Sequence, residues 1–527
     1  MDTAAHNKTI AAHYDAQPYN SNAFSYSSPA HLRAAAYLYG LDTPPVAKAR
    51  VLELGCAAGG NLLPFACLYP ESESVGVDLS SVQIEQGKEL IARIGLKNLT
   101  LHAMSITDIT PEFGTFDYII VHGVFSWVPP EVRDAILRVC KENLSENGVA
   151  YISYNCYPGW KSGEIVRDAM LFHSHFAPEE DKVASAKAML TLLSDGLATS
   201  NPLRPSLLGA VNQLRKHNDY YIAHEYLEAF NNPCYFVEFA DAASQAGLTH
   251  AGDSEPRLEL GANFGNNVQL NHSLVALGQN RLMRQQYLDF AVGRNFRKSM
   301  LVPAEREAEI STSPQLEKLK ELHFAGRFLP TKADDGMAEE VRCFLDHRGN
   351  KVCYSDAPMI AVLEALQNAW PKALSGEQLY EVAASAGEDK PQKSLEKLFY
   401  LGRHYVCRDA ADLPVCLTEN AEQKKLLAGA EEVLRWRREV APGIGQFNPW
   451  HDGANVNLTE PEWFVTQQLA QTSKPVELRK LLIEAWQRGA VSDKEGKSLK
   501  GHRNLETQAD KLIKDLLALL ERQGLLV

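Results

Sequence analysis

Residues 50–66, RVLELGCAAGGNLLPFA, constrain this chain more than any other stretch. An apolar run from Val51 to Leu54 stops at Gly55, small residues follow through Gly60, and apolar residues return with helical spacing at Leu62, Leu63, Phe65 and Ala66. The pattern predicts a strand, a tight turn and a helix. Such a unit leaves backbone N–H groups exposed where the helix starts, and residues without bulk let a ligand approach that backbone closely. In a nicotinamide-binding fold the loop would read GxGxxG and hold a pyrophosphate. Here the spacing is Gly55-x-Ala57-x-Gly59, with an acid, Glu53, at the end of the strand. An acid beside the loop repels phosphate and suits a ligand that carries an ammonium and a sulfonium.

A second apolar strand, from Ser74 to Val77, ends at Asp78, placed to accept hydrogen bonds from ribose hydroxyls. LTLHAMSITDI, FDYIIVHGVFSWV, a long amphipathic helix and NGVAYISYN follow in that order. Pro129, Pro130 and Glu131 start that helix, and Asn147-Gly148 turns the chain into a fifth strand from Val149 to Tyr154. This succession resembles the class I S-adenosylmethionine-dependent methyltransferases. Glu53, Gly55, Ala57 and Gly59 match their E/DxGxGxG loop, Asp78 the ribose-binding acid, and Phe116-Asp117-Tyr118 the entry to the fourth strand. Ala57 replaces the middle glycine. Ser105 stands where many members have an adenine-contacting Asp, so the resemblance implies an adenine contact through backbone at Ser105 and Ile106, with Asp108 nearby. The implied cofactor is S-adenosyl-L-methionine, held by Glu53, Gly55, Ala57, Gly59, Asp78, Leu79, Ser105, Ile106, Asp108 and His122.

Ligands in open α/β sheets bind beyond the carboxyl ends of the strands, so the methyl acceptor is expected near His122, Phe125, Ser126 and Trp127 after the fourth strand. Tyr154, Asn155, Tyr157 and Trp160 follow the fifth. Each aromatic there reads either as a packed loop residue or as an acceptor wall, and His122 as a structural imidazole or a general base. The candidate catalytic set is His122, Tyr154 and Asn155; the candidate substrate set is Tyr14, Tyr19, Trp127, Tyr157 and Trp160. Tyr14 and Tyr19 lie in a segment rich in Tyr, Ser, Asn and Pro before a helix at residues 31–39, which is either a surface arm or a lid. Aromatic faces attract a desolvated cation.

HGVFSWVPPEVRDAI, SYNCYPGW, HEYLEAFNNPCYFVEFADAASQAGL and RQQYLDFAVGRNFRKSMLV together resemble one subgroup, the methyltransferases that carry a methyltransferase regulatory domain. It includes the rickettsial-type outer-membrane-protein lysine methyltransferases. The implied class is α/β: a Rossmann-like methyltransferase sheet at residues 46–256 with a helical insertion at about 160–218, behind an N-terminal lid at 1–45. A helical middle or regulatory domain at 257–350 and winged-helix-like modules at 351–430 and 456–527 complete it. The insertion shapes acceptor access or makes a dimer contact. From residue 219 the pattern reads strand or loop, helix, strand, which would finish the sheet; Arg294, Arg297 and Lys298 read as the solvated end of a helix at residues 285–296.

Nine cysteines are scattered with no CxxC pair, so neither disulfides nor a zinc site is expected. His173 and His175 fall on different helix faces, and with His217 and His224 they make no metal set. A net charge of −13 gives no general drive toward nucleic acid. Residues 471–527 hold eleven Lys or Arg against eight Asp or Glu, with Lys497, Lys500 and Arg503 in one loop, too mild a basic excess for a DNA reader. The N-terminus lacks a signal-peptide pattern and no apolar run spans a bilayer, so a cytoplasmic location is expected. The resemblance implies methyl transfer to lysine side chains of a surface or exported protein. A small-molecule methyltransferase with regulatory and dimerisation domains, and a non-catalytic cofactor-sensing regulator, are the alternative readings.

Overall fold

The computed structural model describes residues 20–527 except 229, 419–423, 441–442 and 503, with the side chains of residues 179 and 224 also outside the description. Tyr14, Tyr19 and Arg503 therefore lie outside the described residues. Its organising element is a seven-stranded sheet of β1 (Arg50–Leu54), β2 (Glu73–Asp78), β3 (Leu99–Ala103), β4 (Phe116–Val121), β5 (Leu144–Asn155), β6 (Leu248–Asp253) and β7 (Phe296–Pro303). The spatial order is β3-β2-β1-β4-β5-β7-β6, and β7 alone runs antiparallel to its neighbours. Because the chain steps outward from β1 in both directions, loops after β1 and β4 diverge and leave a crevice at the carboxyl ends of these strands.

The strands are apolar on both faces, as a sheet covered on both sides requires. Val51, Tyr118, Ile120 and Tyr151 point into one core, shared with the N-terminal helix Pro29–Leu38, helices Leu63–Leu68 and Ser81–Ile94, and much of the C-terminal half. Leu52, Leu54, Ile119, Val121 and Ile152 point into the other, closed by helices Pro130–Glu142 and Phe236–Gln245. The N-terminal helix is thus core: Leu32, Ala34 and Ala36 are fully buried. Beyond the sheet, helices Trp160–Ser174, Lys182–Asp195, Arg204–Leu214 and Asp219–Tyr226 form a lobe around Val166, Met170, Leu190, Leu207 and Ile222.

Several expectations are corrected. Residue 219 begins the fourth helix of that lobe, not a strand or loop. Asn147 and Gly148 do not separate two elements: β5 runs through them, and its register against β4 shifts between Phe116 and Tyr118. The sheet does not end at 256, since β7 comes from residues 296–303. The helix read at 285–296 is Arg281–Val292, ended by Gly293 in the left-handed region. The residues after 303 are mixed rather than helical, with a small sheet of Leu329–Thr331, Arg342–Leu345 and Lys351–Tyr354. In its hairpin Cys343 faces Cys353 at a Cα–Cα distance of 4.1 Å and the two form a disulfide. Their spacing showed nothing of this; the hairpin register creates it.

Arg294, Arg297 and Lys298 are not solvated. Arg297 is fully buried and places Nε and Nη2 each 2.8 Å from the Asp289 carboxylate. Arg294 Nε donates to the same group at 2.6 Å. Arg297 also reaches Glu259, whose carboxylate accepts from His250 at 3.1 Å and from the Tyr39 hydroxyl at 2.7 Å. Those donors hold the Glu259 carboxyl well below its ordinary range despite burial. The cluster ties the N-terminal helix, β6, β7 and helix Arg281–Val292 together through charge-assisted bonds, which lose far more when one partner is removed than they contribute as a set.

In the C-terminal half, helices Ala357–Ala369, Gly376–Ser385 and Gln392–Leu401 pack around Leu363, Leu379 and Leu398 beside a sheet of Leu374–Ser375, His323–Ala325 and Tyr405–Cys407. Its middle strand precedes the expected boundary at 351. Helices Glu460–Gln468, Pro475–Arg488 and Glu506–Arg522 follow. After the last helix the chain makes a single antiparallel bridge, Leu526 with Leu426. Among the described residues no helix is long and apolar enough to cross a membrane.

Candidate functional site

The loop after β1 takes its shape from alternating backbone. Gly55, Ala57 and Gly59 have φ of 76, 50 and 77°, in the left-handed region. Gly55 is obligatory on a second ground: a Cβ there would lie 2.4 Å from a methyl of Val124, which arrives from the loop after β4. Ala57 adopts the strained conformation without glycine, and Asp78 supports it, accepting the Ala57 N–H at 2.8 Å and the Ser80 N–H at 2.9 Å. Asp78 therefore shapes the loop as well as facing the crevice.

The crevice is a cavity of about 290 Å³. Of the sequence-derived set, Glu53, Gly55, Ala57, Asp78, Leu79, Ser105, Ile106, His122 and Trp127 line it. Gly59 does not: it faces Leu101 beneath the loop. Asp108 also stays outside the lining, its carboxylate accepting from the Thr107 hydroxyl at 3.3 Å. Neither candidate catalytic residue on β5 reaches the cavity. Tyr154 is buried in the opposite core, stacked 4.1 Å from Phe239 and bonded to Ser299 at 3.0 Å. Asn155 spends its backbone N–H on Ser126 and its side-chain amide on Asn231. Tyr157 points to Glu164 and lies under the Lys161 ammonium, and Trp160 packs by Tyr226 inside the helical lobe. Strand parity turns Tyr154 away, since Ser153 before it faces His122; Asn155 is held by Asn231, and the turn beyond β5 carries Tyr157 and Trp160 off.

Sequence reasoning missed part of the wall. Asn20, Ser21, Asn22 and Phe24 from the N-terminal segment, Asn61, Gln83, Met104 and Val132, and Glu225 from the helical lobe all line the cavity. The aromatic-rich character of the N-terminal segment hinted at this, but pointed to Tyr14 and Tyr19. Nothing local marks Glu225.

The ionisable groups have distinct environments. Glu53 is buried, its Oε1 accepting from Asn61 Nδ2 at 2.8 Å, while Oε2 has no partner within the protein. Burial raises its pKa to about 8, the Asn61 bond opposing and Asp78 adding slightly. Glu225 is pushed up to about 7 by burial and by Glu228. His122 lies 4.1 Å from the Phe24 ring, with Nδ1 3.1 Å from both Tyr151 Oη and Ser153 Oγ. Burial, with the nearby Lys298 ammonium, pushes its pKa down to about 3. A ring so weakly basic stays neutral and is a poor proton acceptor.

The donor set fits a cationic adenosyl ligand. Every charged residue described in the lining is acidic, and Glu53 among them keeps one buried carboxylate oxygen without a partner within the protein. Apolar walls from Met104, Ile106 and Val128 accept a flat base, and Asp78 ends β2, where ribose-binding acids stand.

Residues 51–148 match the model of a methyltransferase domain, and residues 218–303 that of a predicted methyltransferase regulatory domain. The regulatory segment thus begins within the helical lobe and ends with β7, sharing residues 257–303 with the expected 257–350. The uncharacterized protein RP028 of Rickettsia prowazekii is 42% identical over 240 residues, covering 45% of this chain and 96% of that protein. RP789 of the same organism is 40% identical over 329 residues, covering 62% of this chain and 58% of that protein's length. Among solved structures, PKMT2 from Rickettsia typhi, also determined in complex with AdoHcy, superposes with a TM-score of 0.79 at 27% identity. That likeness covers 97% of this chain and 100% of PKMT2.

Proposed function

Since the chain belongs to the S-adenosylmethionine-dependent methyltransferases that carry a methyltransferase regulatory domain, we propose that its acceptor is the lysine side chain of a protein. The carrying observation is the cavity's charge: Glu53, Asp78 and Glu225 line it, with no Lys or Arg among the described lining residues. Two cations, cofactor and protonated amine, must enter one space, and carboxyls that ionise beside an arriving cation compensate both. The likeness to PKMT2 over almost the whole chain supports the same reading, as does a helical lobe larger than cofactor binding requires.

Bound S-adenosylmethionine would supply an electrophilic methyl group that passes in line to the acceptor nitrogen as its bond to sulfur breaks, leaving S-adenosylhomocysteine. The chain's part is to hold, desolvate and deprotonate. Glu53, the loop at Gly55 and Ala57, Asp78 and Leu79, and the turn at Ser105 and Ile106 hold the cofactor. Phe24, Trp127 and Val132 exclude water from the acceptor side, where an apolar surround lowers a lysine pKa from its ordinary value near 10.4. Glu225 receives the ammonium and takes its proton, releasing it to solvent from its partly exposed position. His122 remains a neutral wall.

The test is transfer of radiolabelled methyl from S-adenosylmethionine into a fractionated lysate of the host cell. Label that survives acid precipitation in a discrete protein band and is released as methyl-lysine on hydrolysis supports the reading. Label confined to small solutes refutes it.

A further inference from the structure

The cofactor cavity is braced from behind by a segment that lies almost 400 residues from the glycine loop in sequence. Asn61, which orients Glu53, meets the Ser27 hydroxyl at 3.3 Å on its side-chain oxygen and accepts two closer hydrogen bonds there. One comes from the Phe24 N–H at 3.0 Å. The other joins it to His451 Nε2 at 3.0 Å, between residues 390 positions apart. The Phe24 bond fixes which end of the amide is oxygen, so the neutral His451 ring must carry its proton on Nε2. His451, Asn61 and Glu53 are all buried, and His451 sits at φ 55°, a conformation that turns its ring inward.

The same segment holds the cavity's N-terminal wall. Ser21 N–H donates to Gly443 O at 2.7 Å, and Gly445 N–H to Ser21 O at 2.8 Å. Ser21 in turn accepts the Gly60 N–H on its hydroxyl at 2.7 Å. Gly60 has no room for a side chain, since a Cβ would stand 2.2 Å from Ser21 O, and a Cβ at Gly445 would push aside the Asn22 amide, whose Oδ1 would lie 2.3 Å away. Ser21 and Asn22 line the cavity. On its other side the segment is anchored in the C-terminal half, where the Trp450 indole N–H donates to Pro371 O at 2.8 Å and its ring stacks on Tyr405 at 5.9 Å.

From these contacts we infer that residues 443–451 are a positioning element of the cofactor site. His451 sets the Asn61–Glu53 pair and Gly443 and Gly445 set Ser21, so that the packing of the C-terminal half and the affinity for an adenosyl ligand are thermodynamically coupled. The coupling is independent of what the acceptor is.

Two variants test it. His451→Asn tolerates the left-handed backbone, but its amide ends short of Asn61; His451→Gln carries an amide nitrogen at about the reach of Nε2. Titration calorimetry with S-adenosylhomocysteine should show Kd raised about five- to tenfold in the Asn variant, the loss of one buried hydrogen bond. The Gln variant should return to within about twofold of wild type. A brace that only stabilises the fold would lower thermal stability in both and leave Kd unchanged. Coupling is reciprocal, so S-adenosylhomocysteine should also slow hydrogen exchange at the Ser21 and Gly445 amides of the unmodified protein. An Asn variant that binds within twofold of wild type overturns the inference. Should that variant fail to fold, unchanged exchange at both amides on ligand addition overturns it equally.

Discussion

Replacing Glu53 by Gln separates what the carboxyl does for the fold from what it does for the ligand, and the two effects have opposite signs. In the cofactor-free protein the Glu53 pKa is raised from 4.5 to about 8. A carboxyl raised by folding contributes its stability below 4.5 and loses it as pH climbs toward 8, because the unfolded chain releases the proton first. At 1.36 kcal/mol per pH decade the full loss is about 5 kcal/mol, of which about 3 kcal/mol is incurred by pH 7. Glutamine has nearly the same shape, keeps an acceptor for Asn61 and never ionises. Cofactor-free Glu53→Gln should therefore match wild type below about pH 5 and exceed it at pH 7 by about 3 to 6 °C in unfolding midpoint. The same variant should bind S-adenosylhomocysteine at least about tenfold more weakly, for want of a carboxyl in the cavity lining that can ionise beside the ligand's ammonium. Differential scanning calorimetry at pH 5, 7 and 8 and a titration at pH 8 read both effects. A variant no more stable than wild type at pH 8 would show that Glu53 is already ionised in the empty cavity, refuting the electrostatic account.

Three further outcomes are expected. Asp78→Ala should weaken adenosyl-ligand binding more than about tenfold, since it removes both a charged acceptor and the brace on Ala57; an unchanged calorimetric Kd would contradict this. Glu225→Gln should raise the acceptor KM about tenfold and flatten the rise of kcat/KM with pH around 7, where the wild-type carboxyl ionises, while leaving the Kd for S-adenosylhomocysteine within twofold; a pH profile like that of wild type would remove Glu225 from the acceptor site. Arg297→Met should cost about 3 to 5 kcal/mol, because Asp289 and Glu259 keep their burial and lose their shared cation; a chemical-denaturation midpoint equal to wild type would mean that Arg294 and His250 suffice.

The sequence by itself determined the cofactor half. Glycine spacing after an apolar strand, an acid at each of two strand ends, and the order of the strands are local signals, because a loop that must admit a ligand to its backbone can be built from few residue types. So Glu53, Gly55, Ala57, Asp78, Ser105 and Ile106 were legible, and they line one cavity. The acceptor side was not. Tyr154 and Asn155 stand at a strand end as expected, yet strand parity and the turn beyond β5 send them into other packing. Glu225 enters the wall from a helix whose local sequence carries no trace of its destination, and Asn22 from a segment whose aromatics pointed to other residues. Arg297 read as a solvated end until Asp289, on helix Arg281–Val292, and Glu259, in the helical turn after β6, supplied the partners that let a guanidinium be buried. The same holds for Cys343 with Cys353, which only a hairpin register makes neighbours, and for His451 with Asn61. Backbone preferences act within a few residues and are written along the chain. Burial, charge compensation and cavity walls depend on which distant segments meet, and that was decided only when the two cores closed on the sheet.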